Sequence, residues 1–432
     1  MKMQIKILFS ALMAICLVAT SCKKDYVNPG AATDEQVFSS PQGLTGVVVG
    51  LQRVYTAGRA SSLYNKIALD GLLTKQLIVL NQGNTSEYQL QLGGGSVDGT
   101  NTILGGLWTT SNKIIYDADK VLASAATLSD KGYANGLIGY ATIFKALALG
   151  DLSEYWEKVP ASIGKNVTFT DRQQGYTRAI ADIDAALSAI NTTPISAAFI
   201  ANVPAGIDIV NTLHALKARY SLFTGNYAQA LAEANAVNLT VKSVFNFTLQ
   251  NLNPIFETAT STNNVYAPDS TTMGLPPALA PDLLDKRVPF YISTNATNPK
   301  FRVSGFGAGS ITPWPVYLPG EMTLIKAEAY ARQATPDLTN ALAELNKIVT
   351  KTPASDPFGV GANLPPIVGP LTQAQILDLI YKHRSIELYM SGLRLEDMRR
   401  FGRPNSERGR NFLPYPFLER DNNPNTPADP AF

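Results

Sequence analysis

The sequence predicts a mainly α-helical protein. Tetratricopeptide-like helical hairpins form a scaffold that carries a large, irregular, loop-rich insertion with minor short strands. Three observations lead there. First, residues 211–237 place Leu213, Leu216, Tyr220 and Phe223 on one helical face, and Tyr227, Ala230, Leu231 and Ala234 on a second. Gly225-Asn226 lies between them, and both residues tolerate a left-handed backbone. Ala218, Gly225, Tyr227 and Ala230 keep the tetratricopeptide spacing, in which small residues let two helices approach closely. Second, the same periodicity returns at 137–190 and 320–349, and a lone hairpin needs such stacked neighbours to bury its apolar face. Third, the pattern fades between Asn238 and Pro319, where Pro, Asn, Thr and aromatic residues dominate.

Composition narrows the function. A chain of 432 residues that is 45% hydrophobic and 16% charged is globular rather than disordered. The formal charge of +2 contains no block of like charge, which argues against a nucleic-acid partner. Both cysteines precede residue 23, so the body of the chain holds no disulfide, cysteine metal site or thiol nucleophile.

Taken in order, residues 1–21 read as a signal peptide. Lys2 and Lys6 precede an apolar run from Ile7 to Val18, too short to span a bilayer comfortably. Ala19-Thr20-Ser21-Cys22 resembles the lipobox of bacterial lipoproteins, which makes Cys22 the expected lipid attachment and 22–33 a polar tether. Residues 34–237 form an N-terminal helical region. Helices are expected at 34–53 (interrupted and capped at Ser39-Ser40-Pro41), 67–80, 108–126, 137–155, 176–190 and 211–237. Polar residues 81–102, with Gly93-Gly94-Gly95, read as a long binding loop, and 157–174 as an irregular connection. Residues 238–319 are the irregular insertion, with an extended piece at 241–247. Residues 320–403 form a C-terminal helical region: 320–332, 337–349, a Thr372-capped helix to Met390 that Gly392 ends, and 395–401. A tail, 404–432, is expected to wrap the surface of what is one compact domain.

The C-terminal region carries a longer pattern. Glu387-Leu388, Gly392, Arg394, Asp397 and Arg400 stand within HRSIELYMSGLRLEDMRRFG, Ser391 and Leu395 replacing an acidic and an aromatic residue of the pattern. With Glu321, Ala327-Glu328-Ala329, Leu413-Pro414-Tyr415-Pro416, Asn422-Asn423-Pro424-Asn425 and the lipobox, it resembles the SusD/RagB family of outer-membrane lipoproteins over nearly the whole chain. The resemblance implies a lipid-anchored, cell-surface glycan-binding protein. It would sit as a lid on a SusC-like TonB-dependent transporter, deliver oligosaccharides or polysaccharide fragments to it, and perform no bond-breaking chemistry. In Bacteroidetes lipoproteins, charges after the cysteine direct export to the surface, and Lys23-Lys24-Asp25 matches in part. Other classes are a lid for peptide or other nutrients, a structural helical adaptor, and a glycoside hydrolase. The last would need two carboxylates across a cleft, and no sequence feature points to such a pair.

Several groups read as packing rather than chemistry. Glu387, Arg394 and Asp397 suit a partly buried charge network around Gly392. Asp182 and Asp184 flank the apolar Ile183, His214 and His383 lack companion ligands, and Gly305-x-Gly307-x-Gly309 opens no helix. No cofactor is expected, and a structural calcium ion in the loops is left open. Sugar binding needs a flat apolar face with amides or charges around it. The candidates are Asn81, Gln82 and Tyr88 in the N-terminal loop, and Tyr266, Tyr291, Phe306 and Trp314 in the insertion. Trp314 immediately precedes a core helix, which favours packing; Trp108 and Trp156 read as core.

Overall fold

The computed structural model describes residues 33–261 and 264–431; Cys22 and the expected leader lie outside them. Two short helices open the described chain, α1 (Asp34–Phe38) and α2 (Pro41–Thr56). Ser40 caps the second by accepting the Gly43 amide at 3.1 Å. Helix α3 (Ser62–Leu73) is buried on every face. It ends earlier than its apolar run suggests, because Lys75 takes φ 60° and turns the chain into a strand, β1 (Ile78–Val79).

The expected long loop at 81–102 is instead partly helical, with α4 (Thr85–Leu92) and a 3₁₀ turn at Gly94–Ser96. The helix is weakly amphipathic, and tertiary contacts hold it. Glu87 is buried, accepts the Tyr64 hydroxyl at 2.7 Å and pairs with Arg59. Asn101 caps α5 (Thr102–Ala125) through the Ile103 and Leu104 amides, and Asp130 caps α6 (Lys131–Tyr155). Both helices start before the positions the sequence predicts, 108 and 137, and the apolar face of α5 begins at once with Ile103 and Leu104. Helix α6 is buried nearly all round beyond its first turn, as befits a central helix, and carries Lys145, Asp151 and Glu154 inside. A short antiparallel ribbon, β2 (Lys158–Pro160) with β3 (Phe169–Asp171), leads to α7 (Arg172–Thr192) and α8 (Ala197–Ile200).

The hairpin at 211–237 is α9 (Ile209–Phe223) and α10 (Tyr227–Ala236). Gly225 sits at φ 76° in the turn, and Ala218 and Ala230 are fully buried. The insertion holds β4 (Val244–Phe245), α11 (Pro254–Ala259), β5 (Tyr266–Ala267), α12 (Arg287–Tyr291), β6 (Ile292–Thr294), β7 (Phe301–Val303) and β8 (Trp314–Pro315). The C-terminal helices are α13 (Pro319–Arg332), α14 (Leu338–Val349), α15 (Gln373–Glu387), α16 (Arg394–Arg400) and α17 (Phe417–Asn422). Thr372 and Gln375 form a reciprocal capping box at the start of α15.

Helices α5, α6, α7, α9, α10, α13 and α14 pack in that order, and α15 closes on the last two. The scaffold is therefore three dispersed hairpins, α6/α7, α9/α10 and α13/α14, stacked without a fixed repeat. Four antiparallel two-stranded ladders occur among the described residues. Two of them, β1·β5 and β4·β8, join the insertion to itself and to the segment before α4.

The C-terminal pattern is a buried ionic network, wired differently from the sequence expectation. Arg384 forks onto Asp397 with two bonds of 3.0 Å, and Arg400 bridges Asp397 and Glu328. Glu387 receives Arg287 at 3.1 Å and Lys351 at 2.5 Å. Among the described residues Arg394 forms no ion pair; it donates to the Met273 and Ser385 carbonyls at 2.5 and 2.7 Å. Gly392 sits at φ 73°, and a Cβ there would come within 2.6 Å of the Lys66 side chain. His383 is buried with Nδ1 2.9 Å from Arg287, while His214 pairs with Glu233. The tail does more than wrap the surface: Leu413 and Tyr415 are buried, and the Pro414 carbonyl accepts the Trp156 indole at 3.0 Å.

Lys66 faces two buried carboxylates, Asp151 at 2.8 Å and Glu154 at 3.3 Å. One cation cannot balance both. Burial pushes Glu154 up to about 8, against the attraction of Lys66. The folded state thus keeps a proton that the unfolded chain releases near 4.5. Stability contributed by this group is present below that value and declines as pH rises toward about 8. Glu154→Gln is expected to flatten the fall of urea-melt stability between pH 5 and 8, in a titration of unfolding midpoints. Asp397→Ala, which strands Arg384 and Arg400, is expected to lose about 3–5 kcal/mol in the same assay.

Candidate ligand-binding cleft

Ligand sites of drug or oligosaccharide size usually occupy about 300–1,000 Å³. An open cleft of this size, about 700 Å³, is present. It forms where the two irregular regions meet. Residues Ile78 and Val79 pair with Ala267 and Tyr266, and the Leu80 amide donates to the Val265 carbonyl at 2.8 Å. That pairing brings Asn81 against the insertion. The opposite wall is the β6–β7 hairpin, closed by the Asn295 amide on the Lys300 carbonyl at 2.8 Å.

The lining suits an uncharged polar ligand with apolar faces. Ile78, Leu80, Pro268, Pro299 and Phe301 supply flat apolar surface, and Asn81, Asn264 and Asn298 supply amides. Asn81 Oδ1 is occupied by the Gly83 amide at 2.9 Å, and Arg302 holds Asn264 Oδ1 at 3.2 Å. Both contacts orient an amide toward the cleft. Lys300 lies 5.4 Å from the centroid of the Phe301 ring and, like Asp269, makes no ion pair among the described residues. Among the described residues Asp269 is the only carboxylate on the lining, whereas glycoside hydrolysis uses two. Among the described residues no three His, Cys, Asp or Glu side chains converge as metal ligands.

The β1·β5 ladder beside the cleft is anchored. Tyr266 is fully buried and stacks on Tyr64 at 6.3 Å, and Tyr64 in turn holds Glu87 of α4. Burial pushes both hydroxyls well above the ordinary tyrosine range.

Of the residues expected to touch ligand, Asn81 lines the cleft. Gln82 is exposed beside it, and Tyr88 is half-buried on α4; neither lines it. The four aromatic residues of the insertion need correction. Tyr266, Tyr291, Phe306 and Trp314 are only 0%, 3%, 9% and 5% exposed. The insertion lacks long ladders, so an edge-to-face aromatic cluster orders it instead. Phe306 meets Phe290, Tyr291, Trp314 and Phe358 with centroids 5.4–6.1 Å apart. Asn253 fastens the same segment by donating to the Phe306 and Thr312 carbonyls at 2.8 and 2.9 Å. Phe306 and Trp314 border an internal cavity of about 40 Å³, room for a few waters and not for a sugar ring. The residues missed were Asn264, Asp269, Asn298, Lys300 and Phe301. Asn298, Lys300 and Phe301 carry one sequence signal, the polar turn TNATNPK running into a strand, and Asn264 and Asp269 lie outside it.

No protein-family model matches the chain, and no curated protein matches it by sequence. Solved structures do match. A SusD homolog from Bacteroides thetaiotaomicron has a TM-score of 0.71 at 13% identity, covering 93% of this chain and 99% of its own. A SusD superfamily protein from Bacteroides vulgatus has a TM-score of 0.69 at 16% identity, covering 91% and 99%. A SusD-like carbohydrate binding protein from Bacteroides fragilis has a TM-score of 0.67 at 15% identity, covering 85% and 87%. The chain has the SusD-like fold.

All three tryptophans, Trp108, Trp156 and Trp314, are buried and none lines the cleft. Intrinsic fluorescence is therefore expected to be blue-shifted, resistant to acrylamide quenching and nearly unchanged by a cleft ligand. A large emission change on ligand binding would place the ligand elsewhere.

Proposed function

We propose that this SusD-like chain is a SusD/RagB-type, lipid-anchored surface protein that captures oligosaccharides in the cleft and passes them to a SusC-like TonB-dependent outer-membrane transporter. One observation carries the reading: the cleft joins flat apolar surface to three amides at the meeting of the N-terminal segment and the insertion, on a fold shared with a carbohydrate-binding protein. Phe301 offers a ring to the C–H face of a pyranose. Asn81, Asn264 and Asn298 offer donors and acceptors to its hydroxyls. A single lining carboxylate supports binding rather than hydrolysis. Anchoring through Cys22, surface exposure and the transporter partner rest on the sequence pattern.

A second reading has its own observation. Lys300 and Asp269 both line the cleft without ion pairs among the described residues, which would suit the carboxylate and ammonium termini of a peptide.

Calorimetry against panels of oligosaccharides and short peptides decides between the two. Saccharide binding that Phe301→Ala weakens about tenfold, equivalent to about 1.4 kcal/mol, is the expected outcome. Peptide binding lost with Lys300→Ala supports the second reading. In cells, Cys22→Ala is expected to release the protein from the outer-membrane fraction, and affinity purification of the intact protein to recover a large β-barrel.

A further inference from the structure

A second groove, of about 470 Å³, lies on α5 against the β2–β3 connection. Its most exposed large side chain is Tyr116, 46% accessible. Such exposure is unusual in this chain, where most rings are drawn into the core or the insertion's cluster. Lys120 Nζ sits 4.5 Å from the Tyr116 centroid and 5.0 Å from that of Phe38. The ammonium occupies one face of the tyrosine and holds the ring in place. The rim is polar: Asp119, Ser162 and Arg178. Arg178 Nη1 is fixed on the Pro160 carbonyl at 2.8 Å, and the rest of its fork has no partner among the described residues. Asp119 is exposed and held by Lys145 at 2.7 Å. A pinned ring beside oriented polar groups is what a pyranose requires. A helical partner would need apolar anchors at successive turns, and here only Ile163 adds a large aliphatic group.

The groove is remote from the cleft. Tyr116 stands fourteen residues beyond Thr102, about 21 Å along α5. Thr102 is the end of that helix bonded to Ser86, next to the segment that carries Asn81. We propose that the Tyr116 groove is a second carbohydrate contact, which engages a polysaccharide already held in the cleft and adds avidity that a short oligosaccharide does not experience. This rests on the glycan reading of the cleft.

The test is affinity electrophoresis of the intact protein in native gels containing soluble starch, arabinoxylan, galactomannan, barley β-glucan, pectin or levan. Calorimetry with a short oligosaccharide of the retarding polymer accompanies it. Expected for Tyr116→Ala is at least a tenfold weaker retardation with unchanged oligosaccharide affinity, and for Tyr116→Phe, which keeps the ring, near wild-type retardation. Phe301→Ala should weaken both signals about tenfold. Wild-type retardation of Tyr116→Ala overturns the second contact while leaving the cleft reading intact. Equal loss of oligosaccharide affinity in Tyr116→Ala also overturns it. A wild-type protein retarded by no polymer overturns both.

Discussion

The fold depends on a set of arginines and carboxylates removed from water at the end of α15. Arg384, Asp397, Arg400 and Glu328 form one part, and Arg287, Asp285, Glu387 and Lys351 the other. Desolvating such charges is expensive, and the expense is offset only where geometry and hydrogen bonding are nearly complete. Here Arg384 and Arg287 fork onto carboxylates and Arg394 donates to two backbone carbonyls, while Arg384 Nη1, Arg394 Nε, Arg400 Nε and Glu328 Oε2 find no hydrogen-bond partner among the described residues. The arrangement confers register more than net stability. From Glu387 to Leu395 the chain also holds both walls of the cleft. Tyr389 and Met390 clamp Gln76, two residues before β1, and Leu395 is held by Asp70. Arg287 and Tyr291, immediately before β6, are held by Glu387. A stretch with no ligand contact of its own therefore sets the distance between Asn81 and the β6–β7 hairpin.

That division explains what the sequence disclosed. Helices α6, α9 and α13 were legible because their faces repeat locally, and caps such as Ser40 on α2 and Thr372 on α15 act within four residues. Helix α4 was missed because it owes its order to Tyr64 and Arg59, more than twenty residues away in the chain. The cleft was half legible. Asn81 could be nominated from loop composition, whereas Asn264, Asn298 and Phe301 depend on the β1·β5 and β6·β7 pairings. Nothing local distinguishes an aromatic residue that stacks on a ligand from one that orders an irregular segment. Tyr266, Tyr291, Phe306 and Trp314 do the second. Arg394 illustrates the same limit: its burial was foreseeable, but carbonyl partners rather than carboxylates were not.

The geometry also constrains how any ligand is held. The cleft is open, with one half-buried ring and a few amides, and the β1·β5 ladder beside it is anchored through Tyr266, Tyr64 and Glu87. A site of this kind gains little from closure and excludes water poorly, so each hydrogen bond to ligand contributes only about 0.5–1.5 kcal/mol. Selection then comes from shape and from the placing of amides. On the proposed reading, modest affinity suits the task. A capture protein that hands its cargo to a transporter must let go, and differences in affinity reside mainly in the dissociation rate. Dividing the hold on a polymer between the cleft and the Tyr116 groove allows long retention with fast release at each contact, because either can open while the other keeps the chain nearby. Once the polymer is cut to a length that no longer reaches both, the avidity vanishes, so fragments are released more readily than intact chains.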